Sequence, residues 1–479
     1  MGDTADYLTL AAQRPPVYGW MLIAYRWMTG GLLGLPLFQL LLLAAGLLLF
    51  AVELGLLMDS LLVGPVSMLL ILLHPTIHDA ARVVETESLF LGLLLGGLGL
   101  LFRAVRAGSG AGGIPALTGA ASLFALAAAT RTTGAAFLPL APLVAALDAR
   151  LSWRVGLGRA GLAVAAMALV LVVAMAGNWE RNDRFEIGSF AGVSLLGKAL
   201  VLIQPSDLPA IPEAARAAVA ATVVPAAHAR ALVAGAPDPA ASMRAQMQVL
   251  EDLRFAVFFP AAMANWPAFA QADWRERAVL CGGIARKLIL AHPIGYAELA
   301  MRDWTELVLY PNYWPAWATA EPAPRSQFPA CAVQKGCYAL DRYDLPASAL
   351  VSILLASVAG VVAASLLVLI AAPAVLRRRA YPRTTLFFGC ALVLHASLLV
   401  SAAAEGGFVR YTVALHVLDV ALLLWLVAGL VRRLPRSRSG FRARSFEVGS
   451  TSSVNRPRQN EKLDHDRVNL TRSWSSRPA

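Results

Sequence analysis

Long apolar blocks, broken by short arginine-rich or acidic stretches, dominate residues 34–177 and 347–431. Nine of them read as candidate spans: about 34–57, 60–74, 88–103, 114–130, 134–147, 160–177, 347–372, 384–403 and 411–431. A crossing helix needs roughly 20 apolar residues, so the third to fifth blocks are short and rely on flanking residues that snorkel. Alternating ten-residue segments are absent, and Leu/Ala-rich blocks predict helices rather than a barrel. Residues 17–28 (VYGWMLIAYRWM) are too short to cross and read as an interfacial helix. Between the two sets of spans, 178–346 reads mainly as amphipathic helices, for example 240–258 and 274–308. Its YPNYWPAWATAEP stretch, rich in Trp and Pro, suits a loop lying on a membrane surface. Residues 432–479 are rich in Arg, Ser and Asn and read as a disordered basic tail.

Composition agrees with the pattern. Of 479 residues 58% are hydrophobic and only 15% charged, with a mean hydropathy of +0.62. A soluble domain carries roughly a quarter charged residues, so an ordinary soluble enzyme is excluded. The net charge of +11 reflects Arg in loops and the tail rather than nucleic-acid binding. Arg103 and Arg106, then Arg150, Arg154 and Arg159, then Arg377, Arg378, Arg379 and Arg383, then Arg432, Arg433, Arg436 and Arg438 are separated by two spans each time. All four clusters therefore fall on one side, the cytoplasmic side by the positive-inside rule. Residues 1–33, the loop 74–87 and the stretch 178–346 then lie outside, and the C-terminus lies inside. The chain starts directly in an external segment, with no leading span before it. Cys390 sits in an apolar span as a packed thiol. Cys331 and Cys337 lie externally, either as a disulfide in an oxidising compartment or as free thiols.

Ionisable residues concentrate on the external side, where groups beside hydrocarbon are candidates for function. The first set lies in GDTADYLTLAAQRPPVYGW: Asp3, Asp6, Tyr7, Arg14, Pro15, Pro16 and Tyr18. Its plain structural reading is a solvated, Pro-terminated loop. The second lies in HPTIHDAARVVETESLF: His74, His78, Asp79, Arg82, Glu85 and Glu87. If 76–87 is helical, His78, Arg82 and Glu85 share one face. The plain reading is a salt-bridged interfacial turn, and His78 with Glu85 is a weak candidate for a divalent metal. The third set is cationic: Arg131 in TRTTG, Arg181 and Arg184 in GNWERNDRFEIGSF, and Arg410 in GGFVRYTV. Each alone can snorkel to headgroups. Together with the carboxylates they suit a base that activates a nucleophile and guanidinium groups that hold a phosphate.

With these motifs the sequence resembles the GT-C superfamily of membrane glycosyltransferases. The branch is that of dolichyl-phosphate-mannose protein mannosyltransferases and lipid A aminoarabinose transferases. Asp3, Tyr7 and Arg14-Pro15-Pro16-Val17-Tyr18 match the family's acidic first loop, ARVVETESLF its second acidic segment, TRTTG its Arg-containing turn, and Arg410-Tyr411 its late Arg-Tyr pair. The resemblance spans about residues 1–190 and runs more loosely to 431. Two departures stand out: the family has a span before its first loop, and Thr4 stands where the mannosyltransferases carry a second acid.

The resemblance implies an all-α bundle of about nine transmembrane helices with an external helical loop domain, in a bacterial inner membrane. It implies inverting transfer of a sugar from a polyprenyl-phosphate donor to a lipid, glycan or protein acceptor on the periplasmic face. Asp3 would be the general base, and Asp6, Asp79, Glu85 and Glu87 would form the acceptor side or second acidic site. Arg82, Arg131 and Arg410 would hold the donor phosphate. No cofactor is required, and a divalent metal is left open. Two rival readings stand beside it: a truncated, non-catalytic homologue, and a polytopic transporter or lipid flippase. Against the transporter are the absence of an internal repeat and the clustering of ionisable residues at one face.

Overall fold

A computed structural model describes residues 6–11, 14–73, 77, 86–110, 112–188, 191–235, 252–309, 347–377, 380–404 and 409–433. Among the described residues every regular element is helical and no strand occurs. Helix α1 (Pro16–Thr29) opens with Pro at its first turn, where the missing N–H costs nothing, and stops at Gly30 in the left-handed region. Then follow α2 (Leu35–Leu57), α3 (Val63–Leu72), α4 (Thr86–Ala107), α5 (Gly113–Ala128), a 3-10 turn Thr132–Phe137 running into α6 (Leu140–Leu147), and α7 (Trp153–Asn182). After the helices of the 191–309 region come α15 (Ala347–Leu376), α16 (Pro382–Ala404) and α17 (Val409–Arg433).

Among the described residues six helices are long and apolar enough to cross a membrane: Leu35–Leu57, Thr86–Ala107, Trp153–Asn182, Val358–Leu376, Pro382–Ala404 and Ala414–Val431. The protein is thus a multi-pass helical membrane protein. The remaining three candidate spans, 60–74, 114–130 and 134–147, form shorter apolar helices within Val63–Leu72, Gly113–Ala128 and Thr132–Leu147. A ten-residue helix such as α3 covers about 15 Å, half of a typical hydrocarbon layer. It starts late because residues Met58–Leu62 turn the chain back, with Asp59 in the left-handed region. The block at 88–103, short by sequence, extends in both directions to Thr86–Ala107.

The hydrophobic packing sorts the helices by position. α4 is central, with 83% of its spanning window buried, and α7 is on the rim, with only 22%. α2 and α4 approach until their backbones touch. A Cβ on Gly46 would stand 2.3 Å from the Gly92 carbonyl oxygen, and one on Gly99 would stand 2.9 Å from Leu49 Cγ. Gly46→Leu is therefore expected to cost at least the 1–3 kcal/mol or so typical of overpacking, read as a lower melting temperature in detergent. Gly30→Ala, with nothing near its Cβ, tests strain alone at a left-handed cap.

One end of the bundle gathers the first three arginine clusters. Arg106 pairs with Glu53 at 2.8 Å, and Arg150 pairs with Asp148 and donates to the Val105 carbonyl. Arg159 caps the Gly108 carbonyl at 2.7 Å, and Arg383 reaches Asp59 at 2.8 Å. The helices leaving this end carry the N-terminal segment, Glu87, Arg131 and Asn182 at their opposite ends, so the chain places its two kinds of motif at two different poles.

The 191–309 region has a hydrophobic cluster of its own. It is built by α8 (Ala191–Leu200), α9 (Glu213–Ala220), α10 (Val223–Ala234), a π-helical turn Asp252–Phe258, α11 (Phe259–Asn265), α12 (Pro267–Gln271) and α13 (Trp274–Ala291). The helix expected over 240–258 is described only at 252–258. The helix expected over 274–308 is broken: α13 and α14 (Pro293–Leu309) meet at a 103° bend. Pro293 has no N–H to continue α13, and His292 closes it. α14 then lies antiparallel along α16. The Tyr296 hydroxyl donates to the Ala403 carbonyl, and the Trp304 ring lies 6.3 Å from that of His395. Leu307 joins the core of the spans. The region therefore does not stand wholly apart from the bundle, because its last helix packs among the spans.

Candidate functional site

From Asp6 onward the first predicted set is folded tightly at the pole away from the arginine clusters. Residues 6–10 make a helical turn; Ala11 N–H donates to the Asp6 carbonyl (2.8 Å) and Arg14 N–H to the Ala11 carbonyl (2.9 Å). Asp6 and Arg14 form a half-exposed ion pair at 3.5 Å, and the Arg14 guanidinium lies over the Tyr7 ring. Tyr7 meets Tyr18 edge-on at 5.0 Å, and the buried Tyr18 hydroxyl accepts from Gln39 Nε2 at 3.0 Å. Pro16 is buried with Tyr18 at the start of α1. Only glycine fits at 19, since a Cβ there would stand 2.5 Å from the Tyr7 carbonyl oxygen. Val17 N–H donates to the Ala129 carbonyl, which joins this segment to the end of α5, two residues before Arg131.

Glu87 and Arg131 come together as a buried ion pair, their side chains 9% and 10% exposed. Thr86 donates its hydroxyl to Glu87 Oε2 at 3.1 Å, and the Arg131 guanidinium lies 5.8 Å from the Phe90 ring centre. Glu87 of the second acidic segment and Arg131 of the TRTTG turn are thus one constellation: the residue expected to hold a phosphate is paired with one expected on the acceptor side. An Arg–carboxylate pair with little water around it is a strong local interaction, provided that both partners stay.

The third set holds the first in place. Arg181 Nε donates to the Thr9 carbonyl at 3.2 Å, and Asn182 Nδ2 to the Leu10 carbonyl at 2.9 Å. Arg184 reaches Asp273 at 3.4 Å, while Arg275 pairs with Glu186. Asp273 caps α13 with a reciprocal capping box to Glu276. The Glu276 backbone N–H, aided by Arg184, holds the Asp273 carboxyl below the usual carboxylate range.

Asp3, His74, His78, Asp79, Arg82 and Glu85 lie outside the described residues, as do Cys331, Cys337 and the 432–479 tail apart from its first two residues in α17. Arg410 and Tyr411 fall in the first turn of α17, the position expected for a pair that opens a span. Among the described residues no group of three or more His, Cys, Asp and Glu is placed to hold a metal. A cavity of about 350 Å³ sits at the α13–α14 bend, lined by Gln204, Arg230, His292 and Ile294, with none of the predicted site residues among its walls.

Several buried polar residues escaped the sequence reading. Lys198 and Asp303 form an ion pair with side chains 2% and 1% exposed, and Lys198 also donates to the Ala402 carbonyl at the end of α16. His416 contacts the Leu70 carbonyl at 3.2 Å, and Asp419, one turn on, is packed against Gly360. For the last two the signal was present, as LHVLDV interrupts an apolar span. For Lys198 and Asp303 it was not, because each sits in an ordinary amphipathic helix and only the fold joins them.

Comparison with models of protein families, with curated proteins and with solved structures gives no match to this chain.

Proposed function

We propose that this protein is a membrane glycosyltransferase of the GT-C kind, using a polyprenyl-phosphate sugar donor. One observation supports it above others: the Asp6–Tyr7–Arg14 segment, Glu87 and Arg131, distant in sequence, converge at the pole opposite the arginine clusters. We read about nine membrane segments, three of them short, in a bacterial inner membrane. The arginine pole and C-terminus are then cytoplasmic and the site periplasmic.

In this reading an acceptor hydroxyl or amine attacks the anomeric carbon from the face opposite the phosphate. The new bond forms as the bond from the anomeric carbon to the phosphate oxygen breaks, which inverts the centre. The acceptor proton passes to the Asp3 carboxylate, and polyprenyl phosphate departs with its negative charge. Arg131, with Arg82 and Arg410, stabilises that charge; Asp6, Asp79, Glu85 and Glu87 orient the acceptor. A divalent metal remains compatible with this scheme.

The test is mass spectrometry of polyprenyl-phosphate lipids in a deletion strain complemented with wild type or Asp3→Asn. One lipid-linked sugar is expected to accumulate, wild type to clear it, and Asp3→Asn to clear it about a hundredfold more slowly. Full clearance by Asp3→Asn would sink the base assignment. A transporter is the second reading, favoured by His416 and Asp419 inside a span. An unchanged lipid pool in the deletion strain would favour it.

A further inference from the structure

The last turn of α7 is built as a clamp. Two of its polar side chains, Arg181 and Asn182, donate to successive carbonyls, those of Thr9 and Leu10. Asn182 also donates to Asn178 Oδ1 at 2.6 Å, and Asn178 Nδ2 donates in turn to the Glu186 carbonyl at 2.7 Å. Glu186 pairs through its carboxylate with Arg275 on α13. A continuous line of polar contacts therefore runs from helix α13 through α7 to the N-terminal segment. Helix α7 stops where the clamp requires, because Asp183 turns left-handed and closes the helix on Trp179.

The clamped segment is held in a conformation that a free peptide would rarely adopt. Leu10 has φ +52°, an unfavourable region for a branched residue. Gly177, just before the clamp, leaves room for Trp20 of α1; a Cβ there would stand 2.3 Å from the Trp20 ring. Strained backbone persists only where its surroundings over-determine it, and Arg181 and Asn182 grip the carbonyls on either side of that bond.

From this geometry we infer that Arg181 and Asn182 are positioning residues for transfer, fixing the segment that presents Asp6, Tyr7 and Arg14. The inference rests on the transferase reading above. Neither side chain touches substrate in this scheme; each acts through the backbone of residues 9 and 10. A misplacement of about 1 Å is enough to cost about a hundredfold in turnover.

The experiment uses the full chain in nanodiscs, as wild type, Arg181→Ala/Asn182→Ala and Arg181→Lys. Hydrogen exchange is read at Leu10, Ala11 and Arg14. Transfer is measured with the lipid-linked sugar purified from the deletion strain, and with membranes of that strain as acceptor. The double variant is expected to exchange these amides at least about tenfold faster while the core of α4 keeps its protection. Its kcat is expected to fall about a hundredfold with KM for the donor little changed, and Arg181→Lys to recover most of the turnover. Unchanged exchange in the double variant, or a loosened segment with wild-type kcat, overturns the inference. If the deletion strain accumulates no lipid-linked sugar, the transferase reading itself fails. Faster exchange in the double variant would then show a clamp with a structural role alone.

Discussion

Asp303→Leu is expected to lose about 3–5 kcal/mol of stability, the usual consequence of removing one partner from a buried ion pair. The cost arises on the lysine left behind. Lys198 is 2% exposed and held between Asp303 and the end of α16, so little water reaches its ammonium once the carboxylate is gone. It would keep the Ala402 carbonyl, which compensates part of an ammonium charge. The pair also joins three elements: Lys198 on α8, Asp303 on α14 and the last carbonyls of α16, where a cation favours the negative end of the helix dipole. Tyr296 caps the next carbonyl, Ala403, from the same helix as Asp303. Thermal unfolding of the purified protein is the measurement, and Lys198→Met/Asp303→Leu is the control. With both charges removed and volume roughly kept, most of the lost stability should return, since burying the pair was costly from the start. A double variant as unstable as the single one would show that the ammonium–carbonyl contact between α8 and α16, rather than the ion pair, supplies the stability.

The second large effect separates folding from chemistry at Glu87 and Arg131. Arg131→Met alone leaves a buried carboxylate facing the neutral Thr86 hydroxyl, and should also cost about 3–5 kcal/mol. Glu87→Gln/Arg131→Met removes both charges and is expected to recover most of that stability. Transfer should not recover with it if Arg131 bears on the departing phosphate, because a neutral side chain offers no charge stabilisation. Melting temperature and clearance of the lipid-linked sugar, read on the same two proteins, decide the matter. Wild-type clearance by the double variant would reduce the pair to a structural staple between α4 and the end of α5.

Much of this was legible along the chain. Leu/Ala-rich blocks longer than a core helix needs, with arginines every second gap, led directly to a helical multi-pass bundle with two chemically different poles. Side-chain partners were less legible. Arg131 and Glu87 were assigned to opposite halves of a reaction, and the fold pairs them. Arg181 was one of several arginines able to snorkel, and the fold aims it at the Thr9 carbonyl. Gln39, in the middle of an apolar block, carried no signal until Tyr18 was brought to it. The break at His292 could have been read from Pro293, but an amphipathic pattern on both sides of a proline does not reveal a 103° turn into the bundle.

The sequence by itself determined solvent and direction: which segments prefer hydrocarbon, which ends carry arginine, and where helices must stop at breakers such as Gly30 and Pro293. These depend on transfer free energies and local backbone sterics, which act residue by residue. Tertiary structure decided which charges meet, because pairing requires two distant helices to share one depth and one facing side. That depends on packing details such as the Gly46–Gly92 contact, which no local property of either segment encodes.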